Sequence, residues 1–176
     1  MKRITRVVTA ALLILVLLLT AIPASAGDNK TPVTGNFYFT GEPYENPNAR
    51  LWFTGRYGWL VNQCRYDYLQ SLTVTTDNRL NGVADSIVNC FFHYNSDGSL
   101  AYAHLWGKST TYQYDNFTVP KWECTTNGFI DSQWNNVTYV VCRGVGVNAG
   151  LNAKFSMIPD PVTEGTYTLQ GYILEP

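Results

Sequence analysis

Beyond residue 26 the chain has no window of helix length in which apolar residues recur at i, i+3, i+4 and i+7, which argues against a helical bundle. Glu, Lys and Leu are sparse there, while Tyr, Trp, Phe, Thr and Val are abundant, a balance that favours strands. No C-x-x-C pair occurs among the cysteines, so a finger-type metal site is not indicated. The chain has two histidines, His93 and His104, and no matched carboxylate beside them. They flank a turn and could meet across a hairpin, but as a metal site they are poor, and exposed strand ends account for them better. The glycines of Gly144-x-Gly146-x-x-x-Gly150 have the wrong spacing for a phosphate loop, and no helix follows. Bends at a barrel corner suit them better. No cofactor and no metal is expected.

A single long apolar run exists, Val7 to Leu19, preceded by Lys2, Arg3 and Arg6 and followed by Ala24-Ser25-Ala26. A basic segment, an apolar segment and an A-x-A site make a signal peptide of residues 1–26. The run is shorter than the roughly 20 residues that cross a bilayer. Cleavage after Ala26 leaves 150 of the 176 residues. It removes three of the twelve basic residues and none of the thirteen acidic ones, so nine face thirteen and the net charge is −4. That balance speaks against nucleic acid and gives no electrostatic reason to sit on an anionic membrane. The expectation is a secreted chain whose residues 27–176 form one domain, since a chain of this length buries about 70% of its unfolded surface.

Short alternating runs between turn signals predict strands at 35–40, 64–75, 83–94, 100–111, 122–130, 137–147, 151–157 and 166–174, with an aromatic-rich stretch at 51–60 broken by Gly55 and Gly58. Residues 112–120 read as a loop or edge, and Asp97-Gly98 is a strong hairpin signal. Even spacing and short connections predict an all-β fold, a single antiparallel β-barrel of about eight strands. Closure removes the edges that invite aggregation.

All four cysteines, Cys64, Cys90, Cys124 and Cys142, lie beyond the signal peptide, and an even number in an exported chain predicts disulfides. Cys124 and Cys142 are equidistant from Gln133, and Cys64 and Cys90 from Asp77, each centre lying in a turn-like stretch. Opposite residues of antiparallel strands lie within disulfide reach. The pairing Cys64–Cys90 and Cys124–Cys142 follows, unless a bulge shifts a register.

Several short patterns stand out. They are Arg79-Leu80-Asn81-Gly82 before a strand with Ile87-Val88-Asn89, then Leu105-Trp106-Gly107-Lys108, then Lys121-Trp122-Glu123-Cys124 with Gly128. They continue through Gly144 to Leu151 and end at Gly171-Tyr172-Ile173-Leu174-Glu175-Pro176. In these the chain resembles the allene oxide cyclase barrel-like family, in particular its secreted bacterial members. The resemblance implies an eight-stranded antiparallel barrel with a short C-terminal segment. The family's patterns do not require the four cysteines. The N-terminal third, where the plant cyclases hold several active-site residues, does not match, so no catalytic residue carries over.

The aromatic set includes Trp52, Tyr66, Tyr68, Tyr102, Trp106 and Trp122. These could contact a ligand in a cavity or stack on sugar, or they could simply fill the core. Asp67, Asp85, Glu123 and Asp131 lie in or beside strands; any of them turned inward among apolar rings would become an acid or base candidate. Asn29-Lys30-Thr31, Asn116-Phe117-Thr118 and Asn136-Val137-Thr138 match the glycan acceptor pattern. Three functions remain: non-enzymatic binding of a small apolar or aromatic ligand or a surface role, a cyclase or isomerase acting in the barrel, and a carbohydrate-binding module.

Overall fold

The computed structural model describes residues 29–40 and 48–176, with the side chains of 66–70 excepted; the signal peptide expected at residues 1–26 lies outside the described residues. Nine strands follow one another: β1 (Asn29–Phe39), β2 (Arg50–Thr54), β3 (Gly58–Thr75), β4 (Gly82–Tyr94), β5 (Leu100–Gln113), β6 (Asn116–Ile130), β7 (Asn136–Gly144), β8 (Asn152–Pro159) and β9 (Thr166–Glu175). Each pairs with its sequence neighbour from β2 onward, and β1 lies between β9 and β3. Eight strands therefore close into an antiparallel barrel, and β2 adds to the outside of β3 as a hairpin. β1 meets β3 from Gly35↔Thr75 to Phe39↔Ser71. On its other side the Phe39 N–H donates to the Gly165 carbonyl at 3.0 Å and the Thr31 hydroxyl donates to Glu175 at 3.2 Å.

Turn chemistry sets the hairpins. Gly98 sits at φ +84° between β4 and β5, as the Asp97-Gly98 signal requires. Residues 112–120, expected as a loop or edge, complete β5 and begin β6 around a turn at 114–115. Register shifts at Tyr112 place Pro120 opposite it, where a missing N–H does least harm to the ladder. The strand expected to reach Val147 stops at Gly144, and a single 3-10 turn over Gly146–Asn148 follows. Gly146 takes φ +54° there, in the left-handed region.

Both expected disulfides are formed, Cys64–Cys90 and Cys124–Cys142. Cys124 and Cys142 are direct register partners with Cα atoms 4.0 Å apart. Cys64 and Cys90 are not, because β3 carries a register shift between Val61 and Arg65. The shifted backbone still leaves their Cα atoms 5.9 Å apart, within bridging range.

The packed core occupies one end of the barrel: Val33, Leu80, Trp122, Cys124, Val140, Cys142, Ala153, Leu169 and Ile173 are all buried. Leu80, from the β3–β4 turn, enters this end as a plug. The turn is tied down on every side. Trp122 Nε1–H and Asn148 Nδ2–H both donate to the Arg79 carbonyl, at 2.7 and 3.1 Å. Buried Lys121 donates to the carbonyls of Asn78 (3.1 Å) and Asn81 (2.7 Å). Arg79 itself bridges Asp77 and Glu175, each at 2.7 Å. Arg79, Leu80, Lys121, Trp122, Asn148 and Glu175, all drawn from the glycine-centred patterns, thus build one closed end.

Candidate functional site

Strand alternation sorts side chains into the barrel wall's two faces. Inward positions are Ala84, Ser86, Val88, Cys90 and Phe92 on β4, Leu105, Ser109 and Thr111 on β5, and Cys124, Thr126 and Ile130 on β6. Many of these are small, so the closed sheet cannot fill its own interior. A cavity of about 400 Å³ remains between the packed end and the opposite mouth, a size suited to one small ligand.

The mouth is the end away from Leu80. Inward residues at the packed end, such as Trp122 and Ile173, are at most 1% exposed. By contrast Phe37, Phe39, Phe92, Ile130, Asn136, Met157 and Tyr167 line the same interior and are only half-buried. Solvent therefore reaches the cavity from their side. Phe37, Phe39 and Tyr167 form an edge-to-face cluster at this mouth, with ring centroids 4.9 to 6.0 Å apart.

The lining is mostly apolar, with hydroxyls from Ser71, Thr73, Ser86, Ser109, Thr111, Thr126 and Thr138. Among these, Ser71 donates to the Ala84 carbonyl at 3.0 Å and Thr138 to Asn136 Oδ1 at 3.1 Å. Among the described lining residues Arg65 is the sole charged side chain, and none of the others carries a carboxylate, imidazole or amine. Both disulfides lie in this wall, since Cys64, Cys90 and Cys124 border the space.

Of the expected contact residues, the four whose side chains are described do not border the cavity. Trp52 is 44% exposed on β2, outside the barrel. Tyr102 and Trp106 occupy outward positions of β5: Tyr102 stacks with His93 and Phe129, and Trp106 lies tilted against His104 with ring centroids 5.2 Å apart. Trp122 faces inward but fills the packed end, below the cavity. The side chains of Tyr66, Tyr68 and Asp67 lie outside the described residues. Asp85 accepts from the Tyr112 hydroxyl at 3.4 Å, Glu123 pairs with Arg143 at 2.7 Å, and Asp131 caps its own turn through the Gln133 and Asn135 N–H groups. None of these three lines the cavity. The hydrogen bonds that Asp131 accepts, chiefly from the Asn135 amide, hold its carboxyl below the usual range.

His93 and His104 share the outer face as diagonal neighbours, opposite Tyr102 and Phe91 respectively. His104 Nε2 lies 2.9 Å from Asn127 Oδ1. Among the described residues no group of three or more His, Cys, Asp or Glu is placed to hold a metal ion. Of the glycan acceptor asparagines, Asn136 stands at the cavity mouth, and Asn116 is exposed in the β5–β6 turn, accepting from Thr118.

One sequence signal would have found the lining. Each disulfide joins neighbouring strands on their inward face, so counting by twos from Cys90 and Cys124 gives the lining residues Ala84, Ser86, Val88 and Phe92, and Thr126 and Ile130. The aromatic set instead includes Trp52, Tyr102 and Trp106, which stand outside the barrel.

Comparison with protein-family models, with curated proteins and with solved structures finds no match.

Proposed function

We propose that this protein is a secreted, non-enzymatic binding protein that carries one small, predominantly apolar molecule inside its barrel. The observation that carries this reading is the cavity of about 400 Å³, open at one end and lined mainly by apolar groups. General acid–base chemistry needs a positioned proton donor or acceptor. No carboxylate or imidazole stands among the described lining residues, which weighs binding above the cyclase or isomerase alternative. The carbohydrate alternative needs ring faces free for stacking. Tyr102 instead lies nearly parallel to its neighbours, at 28° to His93 and 14° to Phe129, so those faces are largely occupied.

Secretion is supported by the basic, apolar and A-x-A segments of residues 1–26 and by two disulfides compatible with an oxidising compartment. Among the described residues no helix is long and apolar enough to cross a membrane. Membership of the allene oxide cyclase barrel-like family belongs to the same proposal; the closed eight-stranded barrel and the shared role of the glycine-centred patterns at its packed end support it.

Native mass spectrometry of the protein from its own host's medium tests the reading. A stoichiometric small molecule is expected, and Val88→Trp, which fills the cavity's middle, is expected to lose it while keeping both disulfides. A wild-type protein free of any such molecule, and unable to take up an apolar fluorescent probe, would remove the proposal.

A further inference from the structure

The cavity's hydroxyls are not spread evenly round the barrel. Ser71 and Thr73 on β3, Ser86 on β4, Ser109 and Thr111 on β5 and Thr126 on β6 all lie on one half of the wall. The other half presents Phe37 on β1, Val140 on β7, and Phe155 and Met157 on β8, and its one threonine, Thr138, is bonded to Asn136. The distribution is uneven along the barrel as well. Thr111 and Ser109 are the register partners of Trp122 and Cys124, which places them beside the packed end. Toward the mouth, β4 to β6 present Val88, Phe92, Leu105 and Ile130 instead.

Four of these hydroxyls have no mate. Ser71 is held by Ala84 and Ser86 has a partner of its own. Among the described residues nothing hydrogen-bonds the side chains of Thr73, Ser109, Thr111 and Thr126. Thr73 and Thr111 are 9% and 8% exposed, and they flank Gly82: Thr73 is its register partner, and a Cβ on Gly82 would meet the Thr111 methyl group. A hydroxyl withdrawn from water without a hydrogen bond costs free energy, so unmated hydroxyls at the floor of an apolar space mark a place for a polar atom of a ligand. Each can donate and accept, which suits an alcohol or ketone oxygen. A charge is not suited there, because a buried ion needs an opposite one beside it. Arg65, the sole charged lining residue described, stacks on the Phe39 ring and pairs in register with Val88, away from Trp122.

We propose that the ligand class is an uncharged molecule with an apolar body and one alcohol or ketone oxygen at its end, and that this end enters first, to be received by Thr73, Thr111, Ser109 and Thr126 at the cavity floor. This rests on the cavity being a ligand site, and its test separates the two ideas.

Three chains of equal length, decane, 1-decanol and decanoate, are competed against the fluorescent probe N-phenyl-1-naphthylamine. Their affinities are measured on the mature protein, on the double variant Thr73→Val/Thr111→Val, which removes two hydroxyls at nearly constant shape, and on Val88→Trp, each verified to hold both disulfides. In the double variant 1-decanol is expected to weaken about tenfold, the size of one hydrogen bond or two, while decane stays within about twofold or tightens. On the wild type decanoate is expected to bind about tenfold more weakly than 1-decanol, or worse. Val88→Trp should exclude all three. A double variant that moves 1-decanol and decane alike, or neither, would overturn the hydroxyl floor while leaving the cavity site standing, and so would decanoate binding tighter than 1-decanol. Binding that Val88→Trp does not disturb, or a wild type that takes up neither the probe nor any of the chains, would overturn the site itself.

Discussion

The indole N–H of Trp122, a side chain 1% exposed, donates to the main-chain carbonyl of Arg79 at 2.7 Å across 43 residues of sequence. This bond fixes the turn that carries Leu80 into the barrel's packed end. Replacing Trp122 by Phe keeps a ring but strands the Arg79 carbonyl on one side and opens space. A loss of about 2 kcal/mol in urea unfolding is expected. The matching change at half-buried Trp106, on the outer face, should stay within about 0.5 kcal/mol. Equal effects at the two sites would show that the packed end does not carry the stability assigned to it.

Acid sensitivity should centre on Arg79. Its hydrogen bonds hold Asp77 below the ordinary value of 3.8, and hold Glu175 below 4.5 with help from the Thr31 hydroxyl. Both carboxyls therefore bind protons less readily folded than unfolded, so their contribution is complete above about pH 5 and is lost as pH falls through 4.5 and 3.8 toward the depressed values. Asp97 and Asp131 are also lowered, chiefly by hydrogen bonds from Ser99 and Asn135, and add a background shared by any variant. Arg79→Gln is expected to melt lower at pH 7 and to lose less than the wild type between pH 5 and 3. Parallel melting curves across that range would count against the network.

The two disulfides should open in a definite order. Cys142 is 1% exposed inside the packed core, whereas Cys64 is half-buried and borders the cavity. Access governs thiol–disulfide exchange. Mild dithiothreitol followed by alkylation and peptide mapping should label Cys64 and Cys90 before Cys124 and Cys142. Removing either pair by Cys→Ala exchange should cost about 3 kcal/mol through the freed unfolded chain, with a further packing loss for the Cys124–Cys142 pair.

Gly171 offers a backbone test. A Cβ placed there would run into the Lys154 carbonyl and the Phe155 Cα on the neighbouring β8. Gly171→Ala should therefore destabilise the barrel by about 1–3 kcal/mol, as overpacking does, seen as a lower urea midpoint at unchanged slope. An unchanged midpoint would mean that β8 and β9 approach less closely than stated.

Much of the architecture was legible in the chain because it is local. Alternation made the strands, Asp97-Gly98 made a hairpin, and the symmetric placement of Cys124 and Cys142 about Gln133 made them partners. Residues 112–120 read as a loop or edge because Pro120 signals a break, and the register shifts at Tyr112 that let the strands run on around it are not visible locally.

What the amino-acid order determined by itself was a stapled antiparallel sheet: period-two patterning and turn chemistry act between neighbours. Tertiary structure alone decided which face became the interior. Closure joins Gly35 to Thr75 and Thr31 to Glu175, contacts that no short window contains. It also decided that Trp122 plugs one end, that Tyr102 and Trp106 stand outside, and that small residues leave a hollow. The bulge near Gln63 adds two residues to β3 between Val61 and Arg65, and for that physical reason Cys64 borders the cavity together with its neighbour Arg65.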